Sequence, residues 1–179
     1  PPLPPSRLGE SVDLQILRAA EQSQSADVRA AFVRALGRFE QPWDVERISL
    51  HVNDSDQGVR EATARALVQA VVHAKVADYA WAIQMAFDVL RGQLAFDPAL
   101  VPTILRSIGE LPLDGAQVTE AVRLFSVYIN RTPPFAAAID GLASLARHVP
   151  DLPISVATRA ALRDLAIYRI ARDPPDPIL

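Results

Sequence analysis

Few residues in this chain have the types and spacing that chemistry requires. Its histidines, His51, His73 and His148, lie far apart, and none has a second histidine three or four residues away. A helical zinc site needs such a pair or cysteine partners, and the chain has no cysteine, which also excludes disulfides and thiolate nucleophiles. The run Asn53-Asp54-Ser55-Asp56-Gln57-Gly58 has the opening of a calcium loop. Its twelfth position is Ala64, where the bidentate glutamate must stand. Helix capping is the better reading: the carboxylate and hydroxyl oxygens accept the unpaired N–H groups of a helix start. The sequence has no nucleophile elbow, phosphate-cradling glycine loop or dinucleotide fingerprint. Asp88 and Asp140 stand on otherwise apolar helical segments as potential buried acids, with no obvious partner nearby in sequence. No catalytic residue, cofactor or metal is therefore assigned, and the chain is not expected to be an enzyme.

Arginine is the remaining chemical resource. The basic residues are 17 arginines and a lone lysine, Lys75, and 29 residues are alanine. Three arginines, Arg34, Arg65 and Arg106, recur just before a small-plus-aliphatic pair. Glu61 lies four residues before Arg65 and can pair with it along the helix. Arg34 and Arg106 have Ala30 and Pro102 at that offset, which leaves them free for another partner. Arg38, Gln69, Glu110 and Arg147 form a second, mixed-sign row. Alternating charge suits a protein surface better than a phosphate backbone.

The elements that position these residues are helices. The chain of 179 residues has a length suited to one domain, and apolar residues recur three and four apart almost throughout. Breaks fall at proline, glycine and short polar clusters. The periodicity predicts nine helices, over 10–22, 25–39, 42–52, 56–73, 76–92, 98–110, 115–130, 133–148 and 154–172. Pro102 should kink the sixth or delay its start. The second helix shows an apolar stripe of Val28, Ala31, Phe32, Ala35, Leu36 and Phe39; the fifth is apolar nearly all round. Trp43 and Trp81 are expected in core or rim packing. The proline-rich ends, 1–9 and 173–179, read as a linker and a tail around a helical domain over 10–172. Without an initiator methionine, the chain reads as a piece of something longer. The ninth helix, apolar on more than one side, suggests that the stack continues or pairs with another chain.

A repeat underlies the pattern. Val28-Arg29 and Arg34-Ala35-Leu36 return as Val59-Arg60 and Arg65-Ala66-Leu67, shifted by 31 residues. Arg106-Ser107-Ile108 follows at a shift of 41, and Ala143-Ser144-Leu145 at a further 37. A recurring helix pair at such a period is a solenoid signature. Leu36, Leu67, Ile108 and Leu145 would form one core column, with Ala31, Ala35, Ala62 and Ala66 allowing close helix packing.

On these residues the chain resembles the HEAT-repeat family. The stretch from Leu50 through Asn53-Asp54-Ser55-Asp56 to Val59-Arg60-Glu61-Ala62-Thr63-Ala64-Arg65-Ala66-Leu67 is similar to that family's unit, and Ser25 to Gly37 matches it as well. The likeness covers 25–73 by motif and 10–172 by organisation. It implies an all-α, right-handed superhelix of about four and a half helix pairs, with the second helices lining a concave face. Other α-α repeats, armadillo-like ones included, are the alternative architectures. The resemblance further implies a structural ladder in which Arg29 and Arg60 pair with Asp27 and with Asp54 or Asp56.

The expected function is a non-catalytic scaffold that binds another protein, or another part of its parent chain, through an acidic patch on that partner. Its contact residues would be Arg34, Arg65, Arg106, Arg38, Gln69 and Arg147. Nucleic acid is the alternative ligand, since one DNA glycosylase class resembles a short HEAT stack. A net charge of -3 and a pI near 5.6 disfavour it. The bilin-lyase proteins, whose HEAT-like repeats hold a tetrapyrrole, are a more distant likeness. No membrane span or signal peptide is visible in the sequence, and a cytoplasmic location is expected.

Overall fold

A computed structural model describes residues 13–130, 136–149, 152–155, 158–160 and 163. Every regular element among them is helical. In chain order these are α1 (Asp13–Glu21), α2 (Ala26–Arg38), a 3-10 turn (Pro42–Asp44), α3 (Val45–Ser49), α4 (Gln57–Val71) and α5 (Val76–Phe96). A second 3-10 turn (Pro98–Leu100), α6 (Val101–Glu110), α7 (Gly115–Ile129) and α8 (Ala136–His148) follow. Both proline-rich ends and most of the expected ninth helix lie outside the described residues. Within that helix Thr158 is buried and donates its hydroxyl to Ser126 of α7 at 2.9 Å.

Local chemistry sets the helix ends. Pro42 opens a 3-10 turn, and after Ser49 the backbone continues through i→i+3 bonds, His51 N–H to the Ile48 carbonyl at 3.1 Å among them. The α-helical part of this segment is therefore much shorter than the expected 42–52. Pro102 does delay its helix: Pro98–Leu100 is a 3-10 turn, and α6 begins at Val101 with the proline in its first turn, where a missing N–H does no harm. Conversely, α5 runs past Gly92 to Phe96 and stops at Asp97, since a residue before proline is pushed out of the helical region.

Helix contacts form two layers. In one, α2 packs on α4, α4 on α6 and α6 on α8; in the other, α1 lies on α2, α3 on α4 and α5, α5 on α6, and α7 on α8. Leu36, Leu67, Ile108 and Leu145, one from each of the first four, are all fully or almost fully buried, as their shared repeat position predicts. On α4 the residues Val59, Ala62, Thr63, Ala66, Leu67, Ala70 and Val71, three or four apart, are all buried. The stripe predicted for α2 is rotated: Ala30, Phe32, Val33, Leu36 and Gly37 are buried, while Val28, Ala31 and Phe39 are exposed. The reason is the seat on α4, where a Cβ at Gly37 would lie 2.8 Å from the Cα of Ala66. Glycine, more than the expected alanines, creates the tightest crossings. At the other end of the row, Gly109 of α6 meets the backbone of Gly141 of α8.

Trp43 and Trp81 are 57% and 46% exposed, so neither is a core residue. On α5 the buried face is Ala82, Ile83, Ala86, Phe87, Leu90 and Leu94. Although that helix reads as apolar nearly all round, it is covered mainly along this stripe.

Candidate functional site

Two arginines fix the turns that set the register of the helices. Arg29, in the first turn of α2, forms a two-point pair with Asp54, Nε to Oδ2 at 2.7 Å and Nη2 to Oδ1 at 2.8 Å. Its Nη1 also donates to the Ser23 and Gln24 carbonyls at 2.8 and 3.2 Å. Arg60 follows the same pattern one helix pair later but with a single carboxylate contact, Nε on Asp97 Oδ2 at 2.6 Å, and with Nη1 on the Asp54 and Ser55 carbonyls at 2.8 and 3.1 Å. Two-point arginine–carboxylate pairs are strong and geometrically selective. The hydrogen bonds from Arg29 hold the Asp54 carboxyl below its ordinary range. Of the carboxylates left open by the likeness, Asp27, Asp54 and Asp56, Arg29 takes Asp54. Arg60, however, takes Asp97 instead of Asp54 or Asp56, and Asp27 forms no ion pair among the described residues. In the next two units the equivalent positions are Val101 and Ala138, both buried, so the ladder has two rungs among the described residues. Asp56 caps α4, its Oδ1 accepting from Val59 N–H at 3.1 Å.

This scaffold sets the exposed faces of α2, α4 and α6 side by side, with a shallow groove between each pair. The first, about 300 Å³, is lined by Arg34, Arg38, Gly58, Glu61, Ala62, Arg65 and Gln69. The second, about 210 Å³, shares Arg65 and Gln69 and adds Thr103, Arg106, Ser107 and Glu110. Five of the six residues singled out from the sequence thus line one continuous surface. The sixth, Arg147 on α8, lines neither groove and donates to Ser144 Oγ at 3.0 Å.

The arginines are not equivalent electrostatically. Arg65 is paired with Glu61 at 2.6 Å, the intrahelical partner its spacing predicts. Arg106, free of a partner by sequence, is met by Asp140 of α8 at 3.2 Å. Among the described residues Arg34 and Arg38 have no carboxylate within ion-pair distance, and both are exposed. Two exposed guanidiniums without an ion pair among the described residues therefore lie at the α2 end of the surface. No family model, curated protein or solved structure matches this chain.

Other sequence candidates take structural places. Asp88 and Asp140, considered as buried acids, are about half exposed and engaged in surface pairs with Arg91 and Arg106. His73 and His148 are exposed. No cluster of three potential metal ligands occurs among the described residues.

His51 is buried between layers, edge-on to the Phe32 ring. Its Nε2 has no hydrogen-bond partner among the described residues, and the nearest carboxylate, Glu21 Oε1, is 3.9 Å away. Burial pushes its pKa below the ordinary value of 6.5; Glu21 and Asp54 oppose this, while Arg29 and Arg47 reinforce it. The folded state therefore binds fewer protons than the unfolded chain just below pH 6.5. Stability should be complete above that pH and decline as the pH falls. Thermal melts from about pH 7.5 to about pH 5.5, above the range where carboxylates titrate, should show the decline. His51→Gln should flatten it; an unchanged slope would place its cause elsewhere.

Proposed function

We propose that the chain is a HEAT-like α-solenoid segment, and that it is a non-catalytic module binding another protein across α2, α4 and α6. The serial packing of α2, α4, α6 and α8, covered by α1, α3, α5 and α7, supports the repeat reading, as does the Arg29–Asp54 and Arg60–Asp97 ladder. The observation that carries the binding reading is the pair Arg34 and Arg38, exposed in a groove with no carboxylate within ion-pair distance of either among the described residues. Two such guanidiniums suit a carboxylate-bearing segment. A nucleic-acid strand fits less well: Glu61 and Glu110 line the same surface and Asp140 neutralises Arg106, so a continuous line of phosphates would meet carboxylates along its path.

A nitrogen-15 NMR titration with tetraglutamate tests this reading, an oligothymidylate of equal charge serving as comparison. The Nε–H signals of Arg34 and Arg38 should move first, ahead of those of Arg65 and Arg106, which are already paired. Arg34→Glu with Arg38→Glu should weaken peptide binding by roughly tenfold or more, because each reversal turns attraction into repulsion. Arg147→Glu should leave it unchanged. Tighter binding of the oligothymidylate, with a steep salt dependence, would assign the groove to nucleic acid instead.

A further inference from the structure

We infer that the segment held by this groove is bipolar: an extended stretch of protein chain with an acidic side chain at Arg34 and Arg38 and a basic side chain at Glu110. This rests on the reading of the groove as a protein-binding surface and adds to it the charge pattern and spacing of the ligand. Glu110 is exposed at the α6 end and, like Arg34 and Arg38, forms no ion pair among the described residues. Arg106, one turn before it, is turned to Asp140. The groove therefore presents free positive charge on α2, internally neutralised charge in its middle, and free negative charge on α6.

Between the poles lies Gln69. Its side chain is exposed, makes no hydrogen bond among the described residues, and reaches over Gly37 of α2, where any Cβ would lie 2.8 Å from its Oε1. A free carboxamide offers one acceptor and two donors, the complement of a passing main chain. Neighbouring helices pack about 8–10 Å apart, so α2 and α6 are separated by roughly 16–20 Å. At about 3.3 Å per residue an extended chain spans that distance in about five or six steps. The acidic and basic side chains are therefore separated by about four or five intervening residues. A segment of uniform charge would satisfy one pole and be repelled at the other.

The test is a display library of random dodecapeptides selected against the full chain. Wild type should enrich peptides carrying an acidic and a basic residue at this spacing. With Glu110→Gln the basic preference should fall to the library background, and with Glu110→Arg it should become acidic, the acidic preference at the other pole persisting in both. If Arg34→Glu with Arg38→Glu abolishes the acidic preference while the Glu110 variants change nothing, the bipolar inference is overturned and the groove reading stands. Selection unaffected by any of these changes, or no enrichment at all, overturns both.

Discussion

Valine in place of Gly109 is expected to cost about 3 kcal/mol or more of stability, the upper part of the range for overpacked interiors. The reason is what the side chain would meet. A Cβ at Gly109 falls on the carbonyl and Cα of Gly141, backbone atoms of the facing helix, and no rotamer change removes them. The helices α6 and α8 would have to separate, opening the row of side chains around Ile108 and Leu145. Against a total of about 5–15 kcal/mol for a domain, such a loss is a large fraction. Gly92 provides the opposite case. It is in the interior of α5 with open space where its Cβ would be. Gly92→Ala should stabilise by about 0.5–1 kcal/mol through helix propensity. Urea midpoints of the two variants should therefore shift in opposite directions. A Gly109→Val midpoint within error of wild type would mean that α6 and α8 do not cross there.

Truncating Phe125 to alanine is expected to be as severe, about 3–5 kcal/mol. Phe125 is among the largest fully buried side chains, and its ring lies against Gly141 from α7. Gly141 is thus enclosed by α6 on one side and by this ring on the other. Removing the ring leaves a cavity that the close backbone crossing of α6 and α8 cannot collapse to fill. Phe125→Leu, which keeps most of the volume, should cost less than half as much. Equal losses for both variants would show that the site is not tightly packed.

Features that depend on neighbours along one helix were legible in the sequence. The buried stripe of α4, the Arg65–Glu61 pair and the capping aspartate Asp56 all follow from spacings of three or four residues. The family likeness left the partners of Arg29 and Arg60 open among Asp27, Asp54 and Asp56, and only the folded chain joins Arg29 to Asp54. What was missed depends on how helices cross. The partners of Arg60 and Arg106, namely Asp97 and Asp140, lie on other elements, and periodicity does not encode the stagger that brings them together. Nor does it distinguish Gly37, Gly109 and Gly141 as contact points from glycines that merely end helices. The rotated face of α2 has the same origin, since an apolar residue such as Val28 or Phe39 fits the helical period without being covered. In the groove, spacing set Arg65 apart through Glu61 but left Arg34 and Arg106 alike. The folded chain separates those two by pairing Arg106 with Asp140 and leaving Arg34 beside Arg38.

Recognition of another protein by the unpaired couple Arg34 and Arg38 is tested by affinity capture from an extract of the source cells. Protein and nucleic acid would both be quantified, with wild type beside Arg34→Glu/Arg38→Glu and the α8 variant Arg147→Glu. A protein should be retained by wild type and by Arg147→Glu, insensitive to nuclease, and lost from the double variant. Retention by the double variant, or capture that nuclease abolishes, would contradict that recognition.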